Sequence, residues 1–332
     1  MDPKIILSTE KVKDRNDEFA ENDEREGKYK MINFKNVELN DKKWMEPLLA
    51  AADFGGCHQN FTNIFAWSQA YNYRVAQVND YLVVKGKINN DLPYYFFPAG
   101  RGDLKPVIEA MIQDAEDCQH EFQLSGVSPE NMEVLNTVFP EHFEYQEMRD
   151  AFDYVYLLDK LVTLAGRKLQ AKRNHINRFK ANNNNWSFEQ ISPENIAECW
   201  EMNRKWCKIN GCKDDEHLAL EYCAVSLCFD HFKELGLLGG LIRSEGSVIA
   251  YTMGEKLNSD TFVIHIEKAF GEIQGAYQMI NREFAALIKD NYPQLMYVNR
   301  EEDMGFEGLR KAKLSYHPDK MEEKYQAKYF TV

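Results

Sequence analysis

Residues 260–318 read DTFVIHIEKAFGEIQGAYQMINREFAALIKDNYPQLMYVNREEDMGFEGLRKAKLSYHP, and this stretch decides the fold. Positions 260–268 are rich in β-branched and aromatic residues and hold no Gly or Pro, the composition of a strand. Period-two alternation predicts Phe262, Ile264 and Ile266 on one face and Val263, His265 and Glu267 on the other. Two ionisable side chains on one strand face mark that face for chemistry. A glycine-bearing loop over 270–275 follows, then an amphipathic helix over 276–290. Strand, glycine loop and helix in that order aim free backbone N–H groups and the positive helix end at the strand's C-terminal edge, a setting for an anion. A second strand, 295–299, runs into the cluster Asn299, Arg300, Glu301, Glu302 and Asp303. Both strand ends thus deliver polar groups to the edge where open α/β sheets bind ligands.

The chain has 332 residues, which gives room for two domains. Its hydrophobic share of 44% and aromatic share of 13% suffice for filled cores. A net charge of −13 argues against DNA or a general nucleic-acid coat as partner, since phosphate neutralisation needs a basic face; a local basic patch stays open. No apolar run reaches the length of a membrane span and the N-terminus lacks a signal-peptide core, so the expected location is cytoplasmic. The cysteines are odd in number and fall mostly inside expected helices, which predicts reduced thiols. Cys207, Cys212, His217, Cys223 and Cys228 lack metal-ligand spacing, so no metal is expected.

Residues 1–30 are dense in charge and read as an extension without a core of its own. In 31–158, helices are expected over 40–52, capped by Asn40 or Asp41, and over 60–71. Strands at 73–78, 81–87 and 93–97 follow, then a helix at 103–118, a strand at 121–127, a helix at 129–139 and a long extended run at 142–158. Residues 159–182 form a basic linker helix, with Lys160, Arg167, Lys168, Lys172, Arg173, Arg178 and Lys180 against Asp159 alone. Residues 183–332 repeat the earlier order. Helices at 193–209 and 217–235 precede strands at 237–243, 248–256 and 261–268, the helix at 276–290, the strand at 295–299, a helix at 306–314 and a strand at 323–330. Two α/β domains with mixed sheets are expected.

This element order is similar to that of the GNAT acyltransferase fold. The runs NFTNIFAW (60–67), PYYFFPAGRG (93–102), YVYLLDKLVTLAGRKLQAKRNHINRF (154–179), HIEKAF (265–270), GAYQMINREFA (275–285) and YVNREEDMGFEGLRKAKLSYHP (297–318) resemble the C-terminal, cytoplasmic domain of phosphatidylglycerol lysyltransferases. The resemblance covers most of the chain from Phe34 onward and implies two tandem GNAT-like domains. In relatives of known activity it implies aminoacyl transfer from a charged tRNA to a membrane lipid. Those relatives carry a multi-spanning membrane domain ahead of this region. None precedes it here, so a stand-alone member with a small-molecule or lipid acceptor is expected. Aminoacyl-tRNA or acyl-coenzyme A is expected as co-substrate, with no tightly bound cofactor.

Transfer of this kind is direct attack on an ester or thioester, and it needs a donor-phosphate cradle and a route for the attacking group's proton. The cradle is assigned to Gly271, Gly275, Ala276 and Tyr277, with Lys168, Lys172 and Arg173 as phosphate contacts on the basic stretch. The same glycines equally serve a tight loop, and the same charges a solvated helix. Glu267 is expected to steer the acceptor proton with His265 beside it; alternatively Glu267 pairs with Lys268 or Arg282. Asn299, Arg300, Glu301 and Asp303 are expected to hold polar groups of substrate, such as a lysyl ammonium. The N-terminal domain is expected to be structural or acceptor-shaping. Two further classes stay open: a non-catalytic ligand-binding protein of the same fold, and a peptide-modifying aminoacyltransferase.

Overall fold

A computed structural model describes residues 31–87 and 92–331; the charged extension over 1–30 lies outside them. From the N-terminal side the elements are β1 (Lys35–Asn36), α1 (Lys42–Ala52), α2 (Phe61–Ala66), β2 (Arg74–Val78), β3 (Tyr81–Gly86), β4 (Tyr94–Phe96), β5 (Ala99–Gly100), α3 (Lys105–Asp117), β6 (Gln123–Val127), α4 (Pro129–Val138), β7 (Phe143–Glu147) and β8 (Asp153–Leu157). Next come α5 (Leu158–Thr163), α6 (Gln170–Asn182), β9 (Ser187–Gln190), α7 (Ile196–Asn210), α8 (Glu216–Asp230), α9 (Phe232–Leu235), β10 (Leu238–Ser244), β11 (Ser247–Lys256) and β12 (Thr261–Ala269). The chain closes with α10 (Ala276–Asn291), β13 (Tyr297–Asn299), α11 (Glu307–Leu314), β14 (Lys320–Glu322) and β15 (Tyr325–Tyr329).

Local chemistry accounts for many of these boundaries. The side chains of Asn60, Ser128 and Asp215 accept backbone N–H groups at the starts of α2, α4 and α8. Asn79, at a φ of 52°, makes the left-handed turn between β2 and β3. The expected helix over 217–235 breaks at His231, whose φ of −119° is not helical, into α8 and α9. The expected helix over 60–71 ends at Ala66 and continues as turns. Gly211 ends α7 with a φ of 74°, and the reversal brings Cys212 back to Cys207 at a Cα separation of 5.1 Å. These two are joined as a disulfide, which corrects the expectation of reduced thiols throughout.

Two sheets organise the chain. One runs β1-β2-β3-β4-β6-β15-β7, with β5 beside β3; the other runs β9-β10-β11-β12-β13-β8-β14. Position by position the two orders correspond, and in each the fourth and fifth strands are the parallel pair, β4 with β6 and β12 with β13. A parallel pair needs a crossover, supplied by α3 in one half and α10 in the other. The repeat seen in the element order therefore extends to strand pairing.

The halves are not separate, however. The expected extended run over 142–158 is interrupted by a turn at Arg149–Ala151, and its two strands go to different sheets. β7 stays with the first sheet, while β8 crosses to lie between β13 and β14. In return β15, from the end of the chain, lies between β6 and β7. The exchange is reciprocal and fills equivalent slots. The stretch 159–182 is likewise more than a linker: Ile176 and Phe179 of α6 are buried in the same core as Met279, Ile280 and Phe284 of α10. A central core is shared by both sheets, with Val75, Leu82 and Phe96 from one and Tyr251, Met253 and Ile266 from the other.

Ala327 on β15 is fully buried in the outer core of the first sheet. Ala327→Asp places an unpaired carboxylate there, at a cost on the order of 3 kcal/mol or more. Because β15 comes from the far end of the chain, the whole molecule should melt earlier in one transition, seen alike by circular dichroism and tryptophan fluorescence. Two separated transitions would show that the exchange does not couple the halves.

Candidate functional site

β12 and β13 pair only from Thr261 to Val263, opposite Tyr297 to Asn299, and then separate. At the separation β12 carries a bulge: Gly254 faces Ile264 and Met253 faces Ile266, leaving His265 without a partner. A side chain at 254 would put its Cβ 2.0 Å from the Val263 carbonyl oxygen, so the bulge requires glycine there. The extra residue resets the alternation. Phe262 and Ile264 lie in the core under α10, whereas Ile266 lies in the central core. Hence Glu267 points toward α10 and His265 toward the first half, and the expectation that they share a face is corrected by the bulge.

On the side facing the first half, His265 is buried between two carboxylates. Nδ1 is 2.9 Å from Glu301 Oε1 and Nε2 is 3.2 Å from Glu255 Oε1. Burial acts against the imidazolium, but Glu255 and Glu301 outweigh it and raise the His265 pKa to about 9. Asn63, in α2, donates to Glu301 Oε1 at 2.9 Å and to the Cys57 carbonyl at 2.8 Å. Glu301 itself adopts a φ of 57°, and its N–H bonds Asn299 Oδ1 at 2.7 Å. The turn is held from below by Lys313, whose ammonium donates to the carbonyls of Arg300, Glu301 and Glu302 at 2.5, 3.0 and 2.6 Å.

Deeper on the same side, Asp153 joins four segments. It accepts from the Cys57 N–H at 2.8 Å, from Lys324 Nζ at 2.6 Å and from Asn299 Nδ2 at 3.0 Å, and Cys57 Sγ lies 3.2 Å away. Burial opposes the Lys324 charge, yet Asp153, Cys57 and Glu302 hold its pKa well above the ordinary lysine value. Burial likewise opposes the Glu302 charge, and Lys324 overrides it to pull that carboxyl down to about 2. Cys57, Asp153 and Glu302 bring metal-ligating atoms within 4.8 Å of one another, but Lys324 Nζ already stands among them as the cation.

On the α10 side, Glu267 accepts from Arg300 at 2.7 Å and from Asn281 Nδ2 at 2.9 Å, rather than pairing with Lys268 or Arg282. The Arg300 guanidinium lies 4.9 Å from the Tyr316 ring and 5.7 Å from that of Tyr156, with Nη1 buried and unpaired. Lys172, from α6, lies 4.1 Å from the Tyr316 ring and donates to Ser315 Oγ at 2.6 Å. Burial and the nearby Arg300 lower its pKa to about 8.

The remaining expected site residues divide. Gly271 sits on an exposed loop with open space around it. Gly275 and Ala276 are buried, and a Cβ at 275 would lie 2.4 Å from the His175 carbonyl oxygen of α6, so the close approach of α6 requires glycine there. Tyr277 packs against the α10 core. Lys168 is exposed, and Arg173 caps α5 through the carbonyls of Leu164 and Gly166. Asn299 and Asp303 are fully buried. Asp303 is taken up by Tyr154 at 2.5 Å and by two bonds from Arg310 at 2.8 Å. Sequence reasoning missed Cys57, Asn63, Asp153, Glu255 and Lys324. A single Asp inside the apolar run AFDYVYLL was the signal available for Asp153.

Comparison with known proteins bears on this arrangement. The family model described as phosphatidylglycerol lysyltransferase, C-terminal, matches residues 50–328. Among solved structures, a conserved protein of unknown function from Bacteroides thetaiotaomicron VPI-5482 is 40% identical and superposes with a TM-score of 0.86, over 90% of this chain and 100% of that one. The structure of L-PGS from Bacillus licheniformis is 16% identical with a TM-score of 0.60, over 87% of this chain and 92% of that one. An uncharacterized protein of Mycoplasmoides gallisepticum (strain R(low / passage 15 / clone 2)) is 25% identical over 181 residues, 53% of this chain and 56% of that protein, so the match spans about half the length of that curated relative. No helix among the described residues is long and apolar enough to cross a membrane.

Folding raises the His265 pKa from its ordinary 6.5 to about 9. Its protonation therefore contributes stability that is full below pH 6.5 and is lost as pH rises through about 9. Lys172, held down to about 8, acts in the opposite sense above that pH, so the His265 slope is cleanest between pH 6.5 and 8. Urea unfolding across that interval should show falling stability, at most about 3 kcal/mol over the full titration. His265→Asn should flatten the slope; an unchanged slope would mean that His265 does not carry it.

Proposed function

From a chain that belongs to the phosphatidylglycerol lysyltransferase C-terminal family, we propose an aminoacyltransferase that moves an aminoacyl group from a charged tRNA end to an acceptor by direct attack. Family membership and the two tandem GNAT-like units support acyl or aminoacyl transfer. The choice of donor rests on one observation: the His175 carbonyl of α6 lies against Gly275 at the start of α10. In coenzyme A-dependent relatives of this fold that helix start would serve the pyrophosphate. Here the His175 carbonyl packs against the Cα of Gly275, so α6 crowds that helix start, and in this reading an anion is less favoured there. Cationic groups instead gather at Arg300 and Lys172, beside the separated strands.

In this reading the donor ester enters from the α10 side, with Arg300 and Lys172 near its negative groups. The acceptor comes from the side of Glu301. Glu301 takes a proton from the attacking group as the new bond forms to the ester carbonyl carbon. The bond from that carbon to the ribose 3′ oxygen breaks, and Glu301 returns the proton to that oxygen. His265 and Glu255 act as positioning residues, because the imidazole bridging the two carboxylates holds Glu301 in place.

The test is transfer of radiolabelled amino acid out of a mixed charged-tRNA pool, with acetyl-coenzyme A as the competing donor. Glu301→Gln should slow transfer by about a hundredfold or more. Arg300→Met should weaken the heat stabilisation given by an aminoacyl-adenosine mimic. Stabilisation and turnover with acetyl-coenzyme A alone would overturn the donor assignment. Silence with both donors would make the chain a non-catalytic binding protein.

A further inference from the structure

The disulfide between Cys207 and Cys212 stands outside the site, yet the segments it joins reach both flanks of the gap. Cys207 lies in the last turn of α7 and Cys212 in the short connection to α8, so the bond closes the link between these helices. The turn itself does not need the bond. Gly211 is left-handed, and the Cys212 N–H bonds the Cys207 carbonyl at 3.1 Å. The sequence separation is 5, and the restraint that a cross-link places on the unfolded chain grows with loop length, so a loop this short gains little from it. A covalent tie that adds little to the turn acts on what the turn carries.

It carries two contacts. Toward β12, Trp206 directly precedes Cys207, and its indole N–H donates to the Ala269 carbonyl at 3.1 Å. Lys268 Nζ lies 3.6 Å from the Trp206 ring and bonds Glu221 of α8 at 2.7 Å. Ala269 ends the strand that holds His265 and Glu267. Toward β13, His217 in the first turn of α8 meets Phe306 edge to face, with the ring centroids 5.9 Å apart. The Phe306 N–H bonds the Asp303 carbonyl at 2.9 Å, which ties it to the turn that presents Glu301. This second contact lies at the surface: His217 and Phe306 are exposed, as is the whole connection over 213–217.

We infer that the disulfide is a redox latch for the site. Oxidised, it holds the start of α8 against Phe306 and Trp206 against β12. Both cysteines are buried, so a dithiol reductant reaches them when the exposed connection opens. Its first thiolate attacks one sulfur and forms a mixed disulfide; its second displaces the protein sulfur. Two electrons and two protons end on Cys207 and Cys212, and the reductant leaves as a disulfide. With the tie gone the connection shifts and the packing at both contacts loosens. The effect on donor binding rests on the transferase reading; the latch does not.

Hydrogen exchange read by mass spectrometry on the full chain, oxidised against dithiothreitol-reduced, tests the latch. Peptides covering 213–221 and 304–309 should both exchange about fivefold faster after reduction. The double variant Cys207→Ser, Cys212→Ser should match the reduced protein in either buffer, with unchanged circular dichroism to show that it folds. Reduction of the unaltered chain tests the latch independently of that variant. Faster exchange confined to the 207–215 loop, or no change at all, overturns it, as does recovery of seven free thiols from protein purified without reductant. Heat stabilisation by the aminoacyl-adenosine mimic then tests the link to the site. A smaller shift in the reduced protein supports it, and equal shifts in both states overturn it. No shift in either state, with exchange still responding, sinks the transferase reading and retains the latch.

Discussion

The buried ammonium of Lys324 and the buried carboxylate of Asp153 meet 2.6 Å apart, and the rest of the structure depends on that contact. Asp153 is the first residue of β8 and Lys324 immediately precedes β15, so each stands at the head of an exchanged strand. Two charges removed from water repay their desolvation only when geometry is good and other hydrogen bonds complete the shell. Here Cys57 and Asn299 complete it for Asp153. Such a pair gives modest net stability and high positional specificity: a shift of either strand by one residue would strand a charge in the core. The same contact that aligns the strands also anchors Asn299, whose carbonyl side sets the turn at Glu301.

That dependence explains which features were legible in the sequence. Element order and the repeat of two α/β units follow from local periodicity and turn chemistry. The exchange of β8 and β15 does not, because a strand's own residues prescribe alternation but not the neighbour it pairs with. The break at Arg149–Ala151 contains neither Gly nor Pro, so the run over 142–158 reads as continuous. Short strands such as β9 and β14 carry too few residues to show a period.

The site divides in the same way. Arg300 and Glu301 were legible as a polar cluster beyond a strand end, and the structure keeps both near the separated strands. Their partners were not, since Glu255, Asn63 and Lys172 come from distant segments. The error over His265 and Glu267 has a single cause. A bulge inserts one residue and inverts every assignment after it, and its one sequence trace is a glycine, Gly254, on the neighbouring strand.

The bulge also has a chemical consequence. Without it, two titratable groups would share one face of β12 and couple to each other. With it, Glu267 joins Arg300 near Lys172 on the α10 side, a group with more positive than negative charge. His265 joins Glu255 and Glu301 on the other side, where carboxylates outnumber the imidazole. A reaction that brings an anionic donor to a nucleophile gains from this separation, because each partner meets the sign that attracts it and the strand keeps the two sets of charges from neutralising one another. The gap between β12 and β13, where the backbone ladder stops, lies between these two sets of charges.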